Sequence, residues 1–426
     1  MAIDTPARLA ILGAGPIGLE AALYARFLGY EVVIYERGRL AEHVRQWGHV
    51  PMFAPFGECS TTLGLAALQA QDASWQPPPP EARLHGAQWV AQYLEPLAHS
   101  DLVADHLRLG TTVLAVGKEE LLKGDLPGSE ARGDFPFRVL SRGPDGMERI
   151  ERFDGVLDCT GVWGTPNWLG HGGIPAVGEA ALAERIEHRL PDILGRDRPL
   201  YAGRHTLLVG AGMSAATNLV ALAALAEQVP GTRITWVTRR EGPAGDGPLA
   251  VRPDDPWPAR AALARQANAL ARQAPWVEHV PGAAVEEVRL VGAEGPLEVV
   301  LSGPVGRTLR VDRIVANVGF RPDDTLAAEL QVAPSPCGWG MRLWPGGPPA
   351  WPALPPPKDA EAAGEPASCC WGQMQEMHYY VLGAKSAGRR GDFTLRGGYE
   401  QIRRVFARMG ERADLDLYTG ARRLLR

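Results

Sequence analysis

Two glycine clusters have the spacing to do chemistry. The first is Gly13-Ala14-Gly15-Pro16-Ile17-Gly18 and the second Gly210-Ala211-Gly212-Met213-Ser214-Ala215. In such a cluster the first glycine permits a sharp bend, and the second lets backbone approach a pyrophosphate. A small third residue lets the following helix pack close to the strand. A helix starting at the turn offers free N–H groups and a partial positive charge to phosphate oxygens. Each cluster is followed, where a nucleotide ribose is read, by a charged residue. After the first cluster it is Glu36, then Arg37; after the second it is Arg239, then Arg240. A carboxylate accepts a ribose 2′-hydroxyl and repels a 2′-phosphate, and a guanidinium does the reverse. The pattern predicts two dinucleotide sites, with NADPH preferred over NADH at the second.

The elements that must position these residues can be read around them. RLAILGAGPIGLEAALYARFLGYEVVIYE reads as strand, turn, helix and strand, with Ile17, Leu19, Ala22, Leu23 and Phe27 at helical spacing. HTLLVGAGMSAATNLVALAALAEQVPGTRITWVT, residues 205–238, repeats the plan. Each half then runs through short strands into a small-residue turn, Cys159-Thr160-Gly161 or Asn317-Val318-Gly319. An internal repeat carries more weight than either glycine cluster alone. Residues 345–366 form a Pro-, Gly- and Ala-rich loop, and the chain ends in a strand, a loop and a helix starting near Gly398. The expected fold class is α/β, with two Rossmann-like three-layer domains, one inserted in the other. The expected boundaries are 1–199 and 319–426 for the outer domain and 200–318 for the inserted one.

The 426 residues carry a net charge of −5, with 45% hydrophobic and 22% charged residues. That balance suits a globular protein and argues against a nucleic-acid surface. No apolar run reaches the roughly 18 residues of a membrane span. The first strand begins too early for a signal peptide, so a cytoplasmic location is expected. Five cysteines (Cys59, Cys159, Cys337, Cys369, Cys370) are too few for a disulfide framework. No metal-ligand spacing is present.

With these motifs the chain resembles the flavoproteins that have two dinucleotide-binding domains, among them thioredoxin reductases, flavin-containing monooxygenases and N-hydroxylating monooxygenases. The carrying residues are GAGPIG with Glu36, LDCTGVWGTPN (157–167), GAGMSA with Arg239, and NVGFRPD (317–323). The resemblance implies FAD on the outer domain and NADPH on the inserted one. It implies that Val113, Asp158, Thr160, Gly161 and Gly319 lie near cofactor, and that the last helix points its start, near Gly398, Tyr399 and Gln401, at the flavin. It leaves a homodimer open. The chain lacks the Cys-x-x-Cys of thioredoxin reductases and the Phe-x-Gly-x-x-x-His of flavin-containing monooxygenases. GVWGTPN is closer to the monooxygenase branch. A small-molecule substrate with dioxygen as the electron acceptor is therefore expected. The alternatives are a reductase that passes electrons on without oxygen insertion, and a redox sensor without turnover.

Lys385 stands out because only three other lysines occur, Lys118, Lys123 and Lys358. Lys385 and His378 are the expected catalytic residues, with His188 a further proton-transfer candidate. Cys369-Cys370 reads as either a vicinal dithiol or a loop pair without a role. WGHVPMFAPFG (47–57) reads as flavin cover or as ordinary core.

Overall fold

The structure, a computed structural model, describes residues 2–242, 247–303, 306–332, 376–389, 391 and 393–422. The loop 345–366, Cys337 and Cys369-Cys370 lie outside the described residues. Contacts divide the chain into a first unit (1–45, 55–165 and 321–426) and a second unit (46–54 and 166–320).

The first unit is built on a parallel sheet of β1 (Arg8–Leu12), β2 (Glu31–Tyr35), β3 (Leu107–Arg108), β7 (Gly155–Asp158) and β16 (Tyr379–Val381), in the order β16-β7-β1-β2-β3. Parallel strands are covered on both faces, which is why β1 and β2 are almost continuously apolar. On one face lies the antiparallel meander β4 (Thr112–Lys118), β5 (Phe137–Arg142) and β6 (Glu148–Phe153). Ala10, Leu12, Val33 and Tyr35 share a core with Val116, Phe137, Val139 and Phe153 there. The helix α1 (Pro16–Phe27) packs against the C-terminal helix α5 (Leu395–Met409), with Tyr24 stacked on Phe406 at 5.2 Å.

The second unit repeats the design. Its parallel sheet runs β11 (Val277–Pro281), β10 (Arg233–Thr238), β9 (His205–Val209), β15 (Arg313–Ala316) and β8 (Ile186–Glu187). Strand alternation sends Leu207 and Val209 to the meander β12 (Val285–Leu290), β13 (Leu297–Leu301) and β14 (Arg307–Val311). It sends Leu208, Ile234 and Trp236 to the helices α3 (Met213–Gln228) and α4 (Pro258–Gln273). Both units are thus three-layered and Rossmann-like.

Contacts start the second unit at residue 166, earlier than the 200 read from sequence. The reason is β8, which pairs with β15, while Leu169 and Ala176 join the core under the meander. Helix α5 begins at Leu395, not near Gly398, because Thr394 caps it by accepting the Gly397 N–H at 3.2 Å. The helical stretch from Gly86 to Ala98 contains a π-helical turn, Val90–Leu94, just before Pro96.

Two distant segments meet at a buried ion pair. The Arg132 guanidinium donates to Glu376 Oε2 at 2.7 Å, and both side chains are almost fully buried. Glu376 Oε2 also accepts the Gln331 N–H at 3.0 Å, while Gln331 Nε2 donates to the Lys123 and Asp125 carbonyls. No described helix is long and apolar enough to cross a membrane.

Candidate functional site

Register decides what gathers at the first site. Leu12 pairs with Tyr35 and Asp158, and Asp158 with Val381, so the four strand ends form one row. Gly13, Glu36, Cys159 and Leu382 therefore emerge together on the carboxyl edge, where ligands bind in open α/β sheets. Gly13 has φ +99°, and a Cβ there would stand 2.8 Å from the Cys159 carbonyl oxygen. A Cβ on Gly15 would meet nothing within 4 Å. The tight glycine faces protein and the open one faces outward, as a phosphate turn requires. The N-cap, Gly15, offers no side chain to cap the start of α1, and the first N–H groups of a helix have no partner within it. Gly18 allows α1 to pack on the turn, since a Cβ there would collide with the Gly13 oxygen.

Glu36 is buried beside this turn. Its carboxylate accepts the Ala14 N–H at 3.0 Å and the Gly38 N–H at 2.8 Å. Each oxygen keeps a lone pair for a ribose hydroxyl. Arg37 is exposed and reaches His43 Nε2 at 3.4 Å. Val113 packs against the core of the meander and offers no polar side-chain group.

The buried network under the Cys159-Thr160-Gly161 turn was not legible in the sequence. Asp158 is wholly buried. Its Oδ2 accepts Lys385 Nζ at 2.6 Å and the Tyr379 hydroxyl at 2.9 Å. Its Oδ1 accepts the Thr160 hydroxyl at 2.6 Å and the Thr160 N–H at 3.1 Å. Lys385 Nζ also reaches Thr160 Oγ1 at 3.4 Å. Lys385 is thus a buried, neutralised cation that ties the 3-10 turn Gly383–Ala387 to β7. Gln401 braces the same turn, accepting the Gly383 N–H at 2.9 Å and donating to Ser386 Oγ at 2.8 Å. Gly161 has φ +70° and open space at its Cβ. Gly398 lies against Ile17, and the Tyr399 hydroxyl donates to the Cys59 carbonyl at 2.9 Å.

His378 does not join this group, which corrects its expected catalytic role there. It precedes Tyr379, and its carbonyl accepts the Val156 N–H, so it sits on the amino edge of the sheet. Three strand residues separate it from the carboxyl row, roughly 10 Å. Burial, helped by Lys118, lowers its pKa to about 4. It is neutral at neutral pH.

The second site repeats the first. Val209 pairs with Val237 and Ala316, so Gly210, Thr238 and Asn317 emerge together. Gly210 has φ +130° and lies tight against the Asn317 carbonyl, while Gly212 is open. Trp236 Nε1 donates to the Gly210 carbonyl at 2.8 Å. Asn218 Nδ2 donates to Asn317 Oδ1 at 2.7 Å. No side chain caps α3. Ala215 is fully buried against the strand and Ser214 half-buried. Arg239 and Arg240 are both exposed just beyond β10. Gly319 is exposed with φ +84°, and Asn167 donates to the carbonyls on either side of it. Asn218, in the apolar run of α3, was a signal that sequence reading passed over.

The two described cysteines are poor nucleophiles. Burial pushes the Cys59 thiol up to about 12 and the Cys159 thiol well above its ordinary range. In the 47–57 stretch, residues 47–54 belong to the second unit, and Phe56 packs edge-on against Tyr93 at 5.6 Å. Among the described residues no cluster could hold a metal ion.

No family model matches the sequence, and no curated protein matches it. Solved structures match it along nearly the whole chain. The bacillithiol disulfide reductase of Bacillus cereus superposes with a TM-score of 0.67 at 17% identity, covering 95% of this chain and 99% of its own. The cadaverine monooxygenase of desferrioxamine biosynthesis from Erwinia amylovora, solved bound to FAD, gives 0.63 at 13%, covering 96% and 95%. A Lactococcus lactis thioredoxin reductase gives 0.54 at 14%, covering 98% and 99%. The chain has their fold. At these identities the likeness extends to architecture, and the chemistry must be argued from the residues.

Proposed function

We propose that the chain is an oxidoreductase that holds FAD on the first unit and takes hydride from NADPH on the second. The observation that carries this reading is the doubled turn. Gly15 and Gly212 are both open, each opens an uncapped helix, and each lies on the carboxyl edge of a parallel sheet. The fit to FAD is supported by Glu36, whose carboxylate is fixed beside the turn with lone pairs to spare for a ribose. The fit to NADPH is supported by Arg239 and Arg240, exposed where a 2′-phosphate would fall.

Bound FAD would supply two-electron acceptance from NADPH and delivery to a second acceptor. The chain's own residues bind and orient. The N–H groups of Gly15, Ile17 and Gly18, and those of Gly212–Ala215, would receive phosphate oxygens. The Asp158–Lys385 pair holds the Thr160 turn in place, so we read Lys385 as a positioning residue. The finer reading is a monooxygenase that uses dioxygen on a small molecule. It is favoured by the two protonated, buried thiols, which suit no disulfide relay among the described residues. The likeness to a bacillithiol disulfide reductase favours the second reading, a reductase that passes electrons on without inserting oxygen.

The test is to reduce the flavin-loaded protein anaerobically with NADPH and mix it rapidly with oxygenated buffer. A transient spectrum unlike either the reduced or the oxidised form is expected. Slow, direct reoxidation sinks the monooxygenase reading and leaves the reductase. A protein that takes up no flavin sinks both.

A further inference from the structure

Beyond β10 the chain turns through Arg239 and Arg240, both exposed. Two guanidiniums on a loose turn would select a phosphate weakly, because the freedom they lose on binding opposes it. What holds this turn lies beneath it. Strand alternation puts Thr238 on the same face of β10 as Trp236, which packs on α3 and α4. His279 of β11 is the register partner of Trp236 and shares that face. Its ring meets the Trp236 ring at 5.2 Å, and its Nε2 lies 2.9 Å from Thr238 Oγ1.

Thr238 is wholly buried, and its hydroxyl donates to the Arg240 carbonyl at 2.8 Å. A hydroxyl has a single hydrogen to give. With that hydrogen on Arg240, Thr238 Oγ1 accepts from His279, whose Nε2 therefore carries a hydrogen. The result is a directed chain from His279 to Thr238 to the Arg240 carbonyl. The same imidazole packs on the indole whose N–H holds the Gly210 carbonyl. One half-buried side chain thus supports both the phosphate turn and the arginine turn of the second unit. The first unit pins the same offset with opposite polarity. Glu36 is level with Gly13 as Thr238 is with Gly210, and it accepts the N–H of Gly38, two residues on. A carboxylate at 238 would leave the Arg240 carbonyl without its donor and would repel a 2′-phosphate.

We infer that Thr238 and His279 are positioning residues for nucleotide choice. The Thr238 hydroxyl, oriented by His279, fixes the turn that aims Arg239 and Arg240 at a ribose 2′-phosphate. The inference rests on the reading that the second unit binds NADPH. It adds that the preference depends on a buried hydrogen-bond chain as well as on the two charges.

The test titrates the full-length chain with NADP+ and with NAD+, which differ only in the 2′-phosphate and carry no hydride to deliver. The parent should bind NADP+ more tightly. Thr238→Val removes the hydroxyl and is expected to weaken NADP+ about fivefold, the order of one hydrogen bond, and to leave NAD+ within about twofold. Thr238→Ser should restore the parent values. His279→Phe keeps a ring against Trp236 and should show a smaller loss of the same kind. With Arg239→Ala and Arg240→Ala already in place, Thr238→Val should change neither affinity, because the hydroxyl acts through the arginines. Unchanged NADP+ affinity in Thr238→Val overturns the inference. So does an equal loss of both nucleotides, which would report damage to the whole site. A further loss in the chain without the two arginines also overturns it, since the hydroxyl would then meet the nucleotide itself. A parent that binds neither nucleotide, or both equally, overturns the NADPH reading and this inference with it. A parent that discriminates leaves that reading standing whatever Thr238 does.

Discussion

Glu36 in the first unit stands where the second unit has Thr238, and Arg37 and Arg239 come next along each chain. On the proposed reading, a carboxylate in one unit and its absence beside Arg239 in the other set which nucleotide each turn accepts. Arg239→Ala should weaken NADPH binding about tenfold or more and leave NADH binding unchanged, because only the former has a phosphate for the guanidinium to meet. Titration with both nucleotides checks this, and equal losses would remove the assignment. A second residue acts on stability. Glu20, on α1, is buried with its Oε1 accepting the Thr61 hydroxyl at 2.9 Å. Burial raises its pKa from 4.5 to about 7, against the lowering effect of Thr61 and Tyr418. Folding therefore retains a proton that the unfolded chain releases. Stability from this group is complete below pH 4.5 and is lost as pH rises to about 7, a difference of about 3 kcal/mol. Glu20→Gln should unfold like the parent near pH 4.5 and at higher denaturant at pH 8. If the two curves coincide at pH 8, Glu20 ionises freely in the fold.

At the level of elements, the glycine turns were readable because a sharp bend, a close approach and a packed helix each demand a small residue at a fixed offset. The start of α5 was readable too, from Thr394 three residues before Gly397, but the glycines further on drew attention away. Gly398 serves packing. A Cβ there would collide with Ile17 Cδ1 and come within 2.9 Å of Phe393 Cζ. Gly398→Ala should cost about 1–3 kcal/mol by forcing α5 away from α1. Shortening Ile17 to Val in the same chain should recover part of that cost, so the two changes should be non-additive in denaturation. Strict additivity would mean that Phe393, not Ile17, sets the spacing. The Asp158–Tyr379–Lys385 network was hidden because Asp158 lies more than 200 residues from its two partners. Nothing in a lone Asp at the end of GVLD names its partners. The same holds for His378, whose residue type suggested chemistry while its strand register put it on the other edge.

Across the molecule, the repeat in the sequence did predict two Rossmann-like units, because each unit needs the same strand–turn–helix–strand opening. It did not predict where the second begins, since β8 is two residues long and carries no periodic signal. Nor did it predict the meeting of Arg132, Gln331 and Glu376. Glu376→Ala should cost about 3–5 kcal/mol, because it leaves Arg132 charged and buried without its carboxylate. Replacing residues 334–374 with a short Gly-Ser linker should leave the denaturation midpoint nearly unchanged. A collapse of the linker variant to the level of Glu376→Ala would mean that the replaced stretch itself supports the fold. The reason to expect otherwise is the 3.0 Å bond from the Gln331 N–H to Glu376, which holds the two exits of that stretch side by side. Chain closure costs only slowly more as a loop lengthens. With Gln331 and Glu376 already fastened by a carboxylate, insertions or deletions in the coding sequence between them should leave the Gly13 turn and its sheet where they are.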